Sequence, residues 1–387
     1  MIKVHYIGYY SDADDDRDLY SSPAACAKMD YIRSALKRIG CQVRLLSTSW
    51  TRKNGGSFGR KVVRTDSMDE IIYISTFGAT NKLFRFMARF WSMLQLTWYL
   101  VTEVRTNEIV IVYHSISYRE PIAIARRLRK LKLILQVEEI YSEVFGYTGT
   151  KRRREWSLIS EADAYICASD FLKSRLEKTY GRKCIVAYGD YSIPTRRSKR
   201  QEENIHVVYA GVIDTIKKGA FNAAKCIQYL PPHYRVHILG FGADNHISEL
   251  TNLIHSINLE LPEARIFFHG LLRGESFSDF LHSAHIGVNS HTMEGKYADF
   301  TFPSKLLVYL AHNMNVVSAA VPCVMGSSFA KYISFYCDDE ARSLAEAILA
   351  VDVDSLRDNV FIIRQLDADF LNKLREVLHS FNASIQH

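Results

Sequence analysis

The stretch VVYAGVIDTIKKGAFNAAKCIQYLP (residues 207–231) decides how the second half of the chain is read. A β-branched run closes at Gly211, a short loop follows, and Lys217-Lys218-Gly219 opens a helix. Glycine lets backbone approach a ligand closely, a helix start presents unpaired N–H groups, and lysine brings positive charge. All three suit a diphosphate. A plain strand–loop–helix turn with a solvated lysine pair fits the same residues.

Outward from this stretch the alternation continues. Strand patterns fall at 205–209, 235–239, 264–268, 286–289 and 315–318, with helix patterns at 219–228, 246–257, 276–284 and 304–311. The first half alternates in the same way. Its strands fall at 2–10, 42–47, 71–75, 108–113, 131–137, 164–168 and 184–188, and its clearest helices at 23–39, 154–162 and 171–180. EIVIVY (108–113) is apolar almost throughout, as a parallel strand covered on both faces must be. Alternation of this kind predicts two doubly wound α/β domains, 1–191 and 205–365. The polar stretch SIPTRRSKRQEEN (192–204) would link them, and a helix at 366–387 would pack back on the first domain. Open parallel sheets take ligands beyond the carboxyl ends of their strands, so the site is expected on those loops, at a cleft.

The second informative segment is NSHTMEGKYADFTFPSKLLVYLAHNMNVVSA (289–319). Pro303 suits a first helical turn, and Ser304 and Lys305 stand where a helix presents free amides. A capped helix burying Leu306, Leu307 and Leu310 fits equally. With YAGVIDTIKKG, HILGFG, FFHGLL and SAHIGVNS in this order, the half-chain resembles the donor-binding domain of nucleotide-sugar glycosyltransferases of the GT-B fold. It is most similar to the large retaining family 4 group.

That resemblance implies a role for each matched position. Gly211 makes room for the donor diphosphate, and Lys218, ahead of Gly219, neutralises it. Ser304 and Lys305 add helix-start amides and a second charge. The Gly270-Leu271-Leu272 turn reads the base through its backbone, while Gly240 and Gly242 serve backbone geometry. Glu294 faces the donor sugar. The reaction implied is metal-independent sugar transfer with retention, to a saccharide or lipid-linked saccharide of bacterial surface polysaccharide synthesis. It needs no cofactor beyond the sugar nucleotide. Two positions depart from the family pattern: Val212 replaces an arginine and Val308 a glutamate. A non-catalytic GT-B scaffold subunit is therefore the alternative, and a nucleotide-sugar epimerase on the same fold a third reading.

In the first half, His114 ends a buried strand where that family keeps a histidine near the sugar. Glu138 and Glu139 end the next strand. Adjacent strand residues point to opposite faces, so one of the two is expected to face substrate, where a carboxylate orients or deprotonates an acceptor hydroxyl. An ordinary strand-end histidine and a surface carboxylate pair balancing KRRR (151–154) are the plain readings.

The 387 residues carry 49 Lys plus Arg against 42 Asp plus Glu, a formal charge of +7. Residues 1–195 hold 31 basic and 21 acidic side chains, whereas 201–387 hold 14 and 21. A basic first half points to a polyanion or an anionic membrane surface. Nucleic acid is disfavoured, because no stacking motif or zinc finger accompanies the charge. LFRFMARFWSMLQLTWYLV (83–101) is the most apolar run; it reads either as a buried crossover helix or as a helix lying in a membrane interface. The opening MIKVHYIGYY is strand-like rather than a secretory signal, and seven scattered cysteines without a CxxC pair argue for a reducing compartment. A cytoplasmic protein, peripheral on the inner membrane face and without a structural metal, is the expectation.

Overall fold

The computed structural model describes residues 1–12, 15–78, 81–106, 108–195, 203–216, 218–290, 302–353 and 358–383. Lys217, Glu294 and most of the candidate linker lie outside the described residues. The chain divides into two compact units, Met1–Asp190 with Ala368–His387, and Tyr191–Asp367.

The first unit is built on an eight-stranded sheet. Strands β1 (Lys3–Gly8), β2 (Gln42–Ser47), β5 (Asp69–Tyr73), β7 (Ile109–Tyr113), β8 (Lys132–Val137), β9 (Ala164–Cys167) and β10 (Lys183–Val186) all run parallel. The order is β10-β9-β8-β7-β1-β2-β5-β4. Ile109, Val110, Ile111 and Val112 are all buried, as the uninterrupted apolar run requires. The edge strand β4 (Lys61–Asp66) is the exception, pairing antiparallel with β5. Its KVVRTD sequence is mostly exposed and charged, which discourages edge-to-edge pairing. Helix α1 (Pro23–Arg38) starts on a proline and stops before Gly40, whose φ of 84° favours glycine.

Helix α2 (Lys82–Thr102) begins at Asn81, whose side chain accepts the Phe84 N–H at 3.0 Å. It fills the expected crossover position but is buried on one stripe only, through Ala88, Ser92, Leu96, Tyr99 and Leu100. Its opposite stripe is exposed, so a fully buried crossover helix is not what forms. No described helix is long and apolar enough to cross a membrane.

The second unit has a six-stranded, wholly parallel sheet. Its strands are β11 (Ile205–Ile213), β12 (Tyr234–Gly242), β13 (Ile266–Gly270), β14 (Ile286–Asn289), β15 (Asn315–Ala319) and β16 (Ser334–Tyr336). They lie in the order β13-β12-β11-β14-β15-β16. Numbered within the unit this is 3-2-1-4-5-6, the Rossmann order, whose direction reverses between the first and fourth strands. The last helix, Asn359–Ala383, starts in this unit; from Ala368 onward the chain belongs to the first unit, where Phe370 lies 5.7 Å from the Tyr31 ring.

Candidate functional site

The switch point of the second sheet lies between β11 and β14. β11 stays paired with β12 as far as Ile213 opposite Gly242, but it leaves β14 after Val208 opposite Gly287. The strands therefore part just where a doubly wound sheet takes its ligand. Tyr309, on the helix Lys305–Ala311, fills the gap: its hydroxyl accepts the Ala210 N–H at 2.8 Å and donates to the Val288 carbonyl at 3.4 Å. Gly287 is required beneath it, since a Cβ there would stand 2.3 Å from the Tyr309 ring.

Around this gap the sequence-derived donor residues gather unevenly. A Cβ on Gly211 would stand 2.8 Å from the Lys305 ammonium, which itself lies 4.0 Å from the centre of the Tyr209 ring. Gly219 packs against the Tyr209 hydroxyl and the Ser290 carbonyl, where a Cβ would overlap both, and Ser290 Oγ donates to the Gly219 carbonyl at 2.7 Å. Gly211, Gly219, Lys305 and Tyr209 thus form one cluster. Tyr209 and Ser290 had no part in the sequence reading; only the strand parting reveals them.

Gly240 and Gly242 have a backbone role. A Cβ on Gly240 would fall 1.8 Å from the Gly211 carbonyl oxygen, and one on Gly242 2.2 Å from that of Ile213. Ser304 caps its helix through backbone alone and is exposed. Gly270, with φ 66°, turns the chain into the exposed Leu271 and the part-exposed Leu272.

Lys218 directly precedes Gly219 of that cluster. It takes a left-handed backbone (φ 56°) immediately before helix α7 (Gly219–Lys225), with its N–H bonded to the Asp214 carbonyl at 3.3 Å. Its side chain lines a cavity of about 380 Å³ with Asn222, Lys225, Tyr229, Asp339 and Glu340. A left-handed lysine costs about 1–2 kcal/mol, a strain of the kind that collects at functional loops.

The first unit repeats the logic. Its strand order reverses between β1 and β7, and His114 directly follows β7. His114 borders a cavity of about 470 Å³ with Tyr9, Tyr20, Tyr141, Tyr147 and Glu139. Only 1% of His114 is exposed, and burial pushes its imidazole down to about 4. Nδ1 lies 3.1 Å from the Glu139 carbonyl, which can only accept, so Nδ1 carries the proton. Among the described residues Nε2 has no hydrogen-bond partner, and it lies 3.7 Å from Glu155 Oε1. The ring stacks on Tyr141 at 4.8 Å.

Glu138 and Glu139 diverge. Glu138 takes an ion pair from Lys28 at 2.7 Å and a hydrogen bond from Gln136 at 2.6 Å, whereas Glu139 borders the His114 cavity. Glu155, unremarked in the sequence, is wholly buried and accepts the Tyr141 and Ser142 amides at 2.6 and 2.7 Å. Burial raises its carboxyl above the usual range. No described group of three or more His, Cys, Asp or Glu side chains could hold a metal ion.

Two doubly wound units in one chain make the GT-B architecture, and solved structures match it from end to end. Sucrose-phosphate synthase from Thermosynechococcus elongatus superposes with a TM-score of 0.69 at 13% identity, covering 99% of this chain and 100% of that one. An Anabaena protein, HepE, in complex with UDP gives 0.63 at 13% identity over 99% and 100%. The α,α-trehalose 6-phosphate synthase of Burkholderia multivorans gives 0.63 at 10% identity over 100% and 98%. These likenesses are of fold and do not single out the family 4 group. No family model matches the chain, and no curated protein matches it in sequence.

Proposed function

We propose that the protein is a glycosyltransferase that moves a sugar from a nucleotide-diphosphate donor, held by the second unit, to an acceptor hydroxyl. The single observation behind this is the Gly211–Lys305 cluster at the strand parting, in a fold shared with a UDP-bound neighbour. Breaking the anomeric C–O bond leaves the electron pair on the diphosphate and positive charge on the sugar. Lys305 would neutralise the departing oxygens, and the backbone at Gly211 and Gly219 would approach them without obstruction. The acceptor oxygen forms the new bond to the anomeric carbon, and its proton passes to the departing phosphate oxygen on the same face, giving retention. His114 and Glu139 would line the acceptor's cavity in the first unit.

The acceptor we assign is a saccharide or lipid-linked saccharide of the kind used in bacterial surface polysaccharides, taken at the inner membrane face. Thermal shift against UDP-, GDP- and dTDP-sugars tests the donor half directly, since a ligand of the folded state alone raises its apparent stability. UDP species are expected to raise the midpoint, and Lys305→Ala to abolish the rise. Val212, exposed beside Gly211 where the family pattern has an arginine, favours a second reading, a scaffold subunit that lends a surface to an active partner. Absence of any nucleotide shift would select it.

A further inference from the structure

Eight of the chain's exposed large apolar side chains lie on α2 alone. Leu83, Phe86, Phe90, Leu94 and Trp98, spaced by three or four residues, form one outward stripe and are 65%, 67%, 57%, 46% and 70% exposed. Residues at that spacing share a helix face, and this face lies opposite the buried one. Exposed apolar side chains scattered singly need no explanation, but a contiguous aromatic stripe does. The helix also carries Lys82, Arg85 and Arg89, the last with its guanidinium 4.5 Å from the centre of the Trp50 ring, and no acidic residue. Among the described residues no carboxylate pairs with any of these three cations.

We infer that α2 is the surface by which this protein lies on an anionic lipid bilayer. An apolar face rich in tryptophan and phenylalanine, with unneutralised cations in the amino-terminal turns of a helix that cannot span, is the composition of a helix lying in the interface plane. The aromatic rings settle at headgroup depth, and the Lys82 ammonium and the Arg85 guanidinium meet lipid phosphates. A cavity of about 400 Å³ adjoins the stripe, walled by Leu46, Ile74, Trp91, Leu94 and Trp98. At its rim Arg60 pairs with Glu103 at 2.9 Å. It offers an acyl chain an apolar wall continuous with the stripe.

The test is flotation of the full chain with vesicles of phosphatidylcholine and phosphatidylglycerol in a 3:1 ratio, against phosphatidylcholine alone. Wild type is expected to float with the mixed vesicles, at least tenfold more weakly with the neutral ones, and to be released by high salt. Phe86→Glu/Trp98→Glu, at two positions already in solvent, should keep the circular dichroism and melting profile of the wild type and lose binding at least tenfold. Failure of wild type to bind, binding indifferent to phosphatidylglycerol, or undiminished binding by the variant overturns the inference. So does a stable wild-type dimer in light scattering that the same variant dissociates, which would assign the stripe to a second copy of the chain. The surface is argued independently of the donor site, and UDP titration of both samples keeps failure of one from being mistaken for failure of the other.

Discussion

Tyr309 shows at the scale of a single residue how the donor site is held open. Between parting strands the Ala210 N–H and the Val288 carbonyl would lack partners, and the phenol hydroxyl serves both. Tyr309→Phe keeps the ring against Gly287 but strands both groups, so denaturant unfolding of the second unit should show a loss of about 1–3 kcal/mol. An unchanged midpoint would mean the strands close on each other unaided. The two lysines are tested one at a time. Lys305, over Tyr209 and Gly211, is expected on replacement by alanine to lose about 2–4 kcal/mol of transition-state stabilisation in kcat/KM for sugar transfer. Lys218, which lines a cavity with Asp339 and Glu340, is the second cation of the sequence reading; a loss under about 1.4 kcal/mol for Lys218→Ala in the same assay would take it off the diphosphate. Spacing in the sequence put these lysines together, since both begin helices. The left-handed turn at Lys218 is a backbone choice that no residue pattern announces for a non-glycine.

At the scale of elements, three neighbouring strands of the second sheet carry a row of imidazoles. His206 on β11 meets His237 on β12 at 2.7 Å, and His237 meets His269 on β13 at 3.0 Å. Burial, reinforced by the charges of His206, His269 and Arg235, pushes His237 down to about 3, and burial also lowers His269. A neutral row satisfies every bond with one proton each; a second charge would sit beside the first. The unfolded chain takes up protons near pH 6.5 while folded His237 and His269 resist them, so stability should fall as pH drops below about 6.5, by up to about 1.4 kcal/mol per pH unit for each of the two. His237→Phe should flatten that slope in the second unit's unfolding between pH 6.5 and 4, and an unaltered slope would show the row already protonated. A strand such as Ile109–Tyr113 was legible because a parallel strand covered on both faces has to be apolar throughout. The antiparallel β4 was not, since KVVRTD is an edge with neither a buried run nor clean alternation. For α2 the apolar run identified a helix, but hydrophobicity all round says nothing of which face finds a partner.

At the scale of the whole molecule, the carboxy-terminal helix decides how the chain's end contributes to stability. Residues 368–387 belong to the first unit although some 180 residues of the second precede them. Phe370, Leu374, Val377 and Leu378 are buried there, and Phe370 rests on Tyr31 of α1. Full burial of a large apolar side chain is worth about 1.5–3 kcal/mol, an upper estimate when the unfolded chain is partly compact. Four such side chains therefore approach the entire stability of an ordinary domain, about 5–15 kcal/mol. A chain ending at Asp367 is expected to lose amide protection throughout α1 and β1 in hydrogen exchange, while β11, β12 and β14 keep theirs. Because Lys305, Tyr209 and the glycines lie in the unit left intact, the shortened chain should still bind nucleotide while its first unit no longer melts cooperatively. Phe370→Ala/Leu374→Ala in the full chain should reproduce a part of the loss, and protection of α1 unchanged in both would separate the helix from the first unit's core.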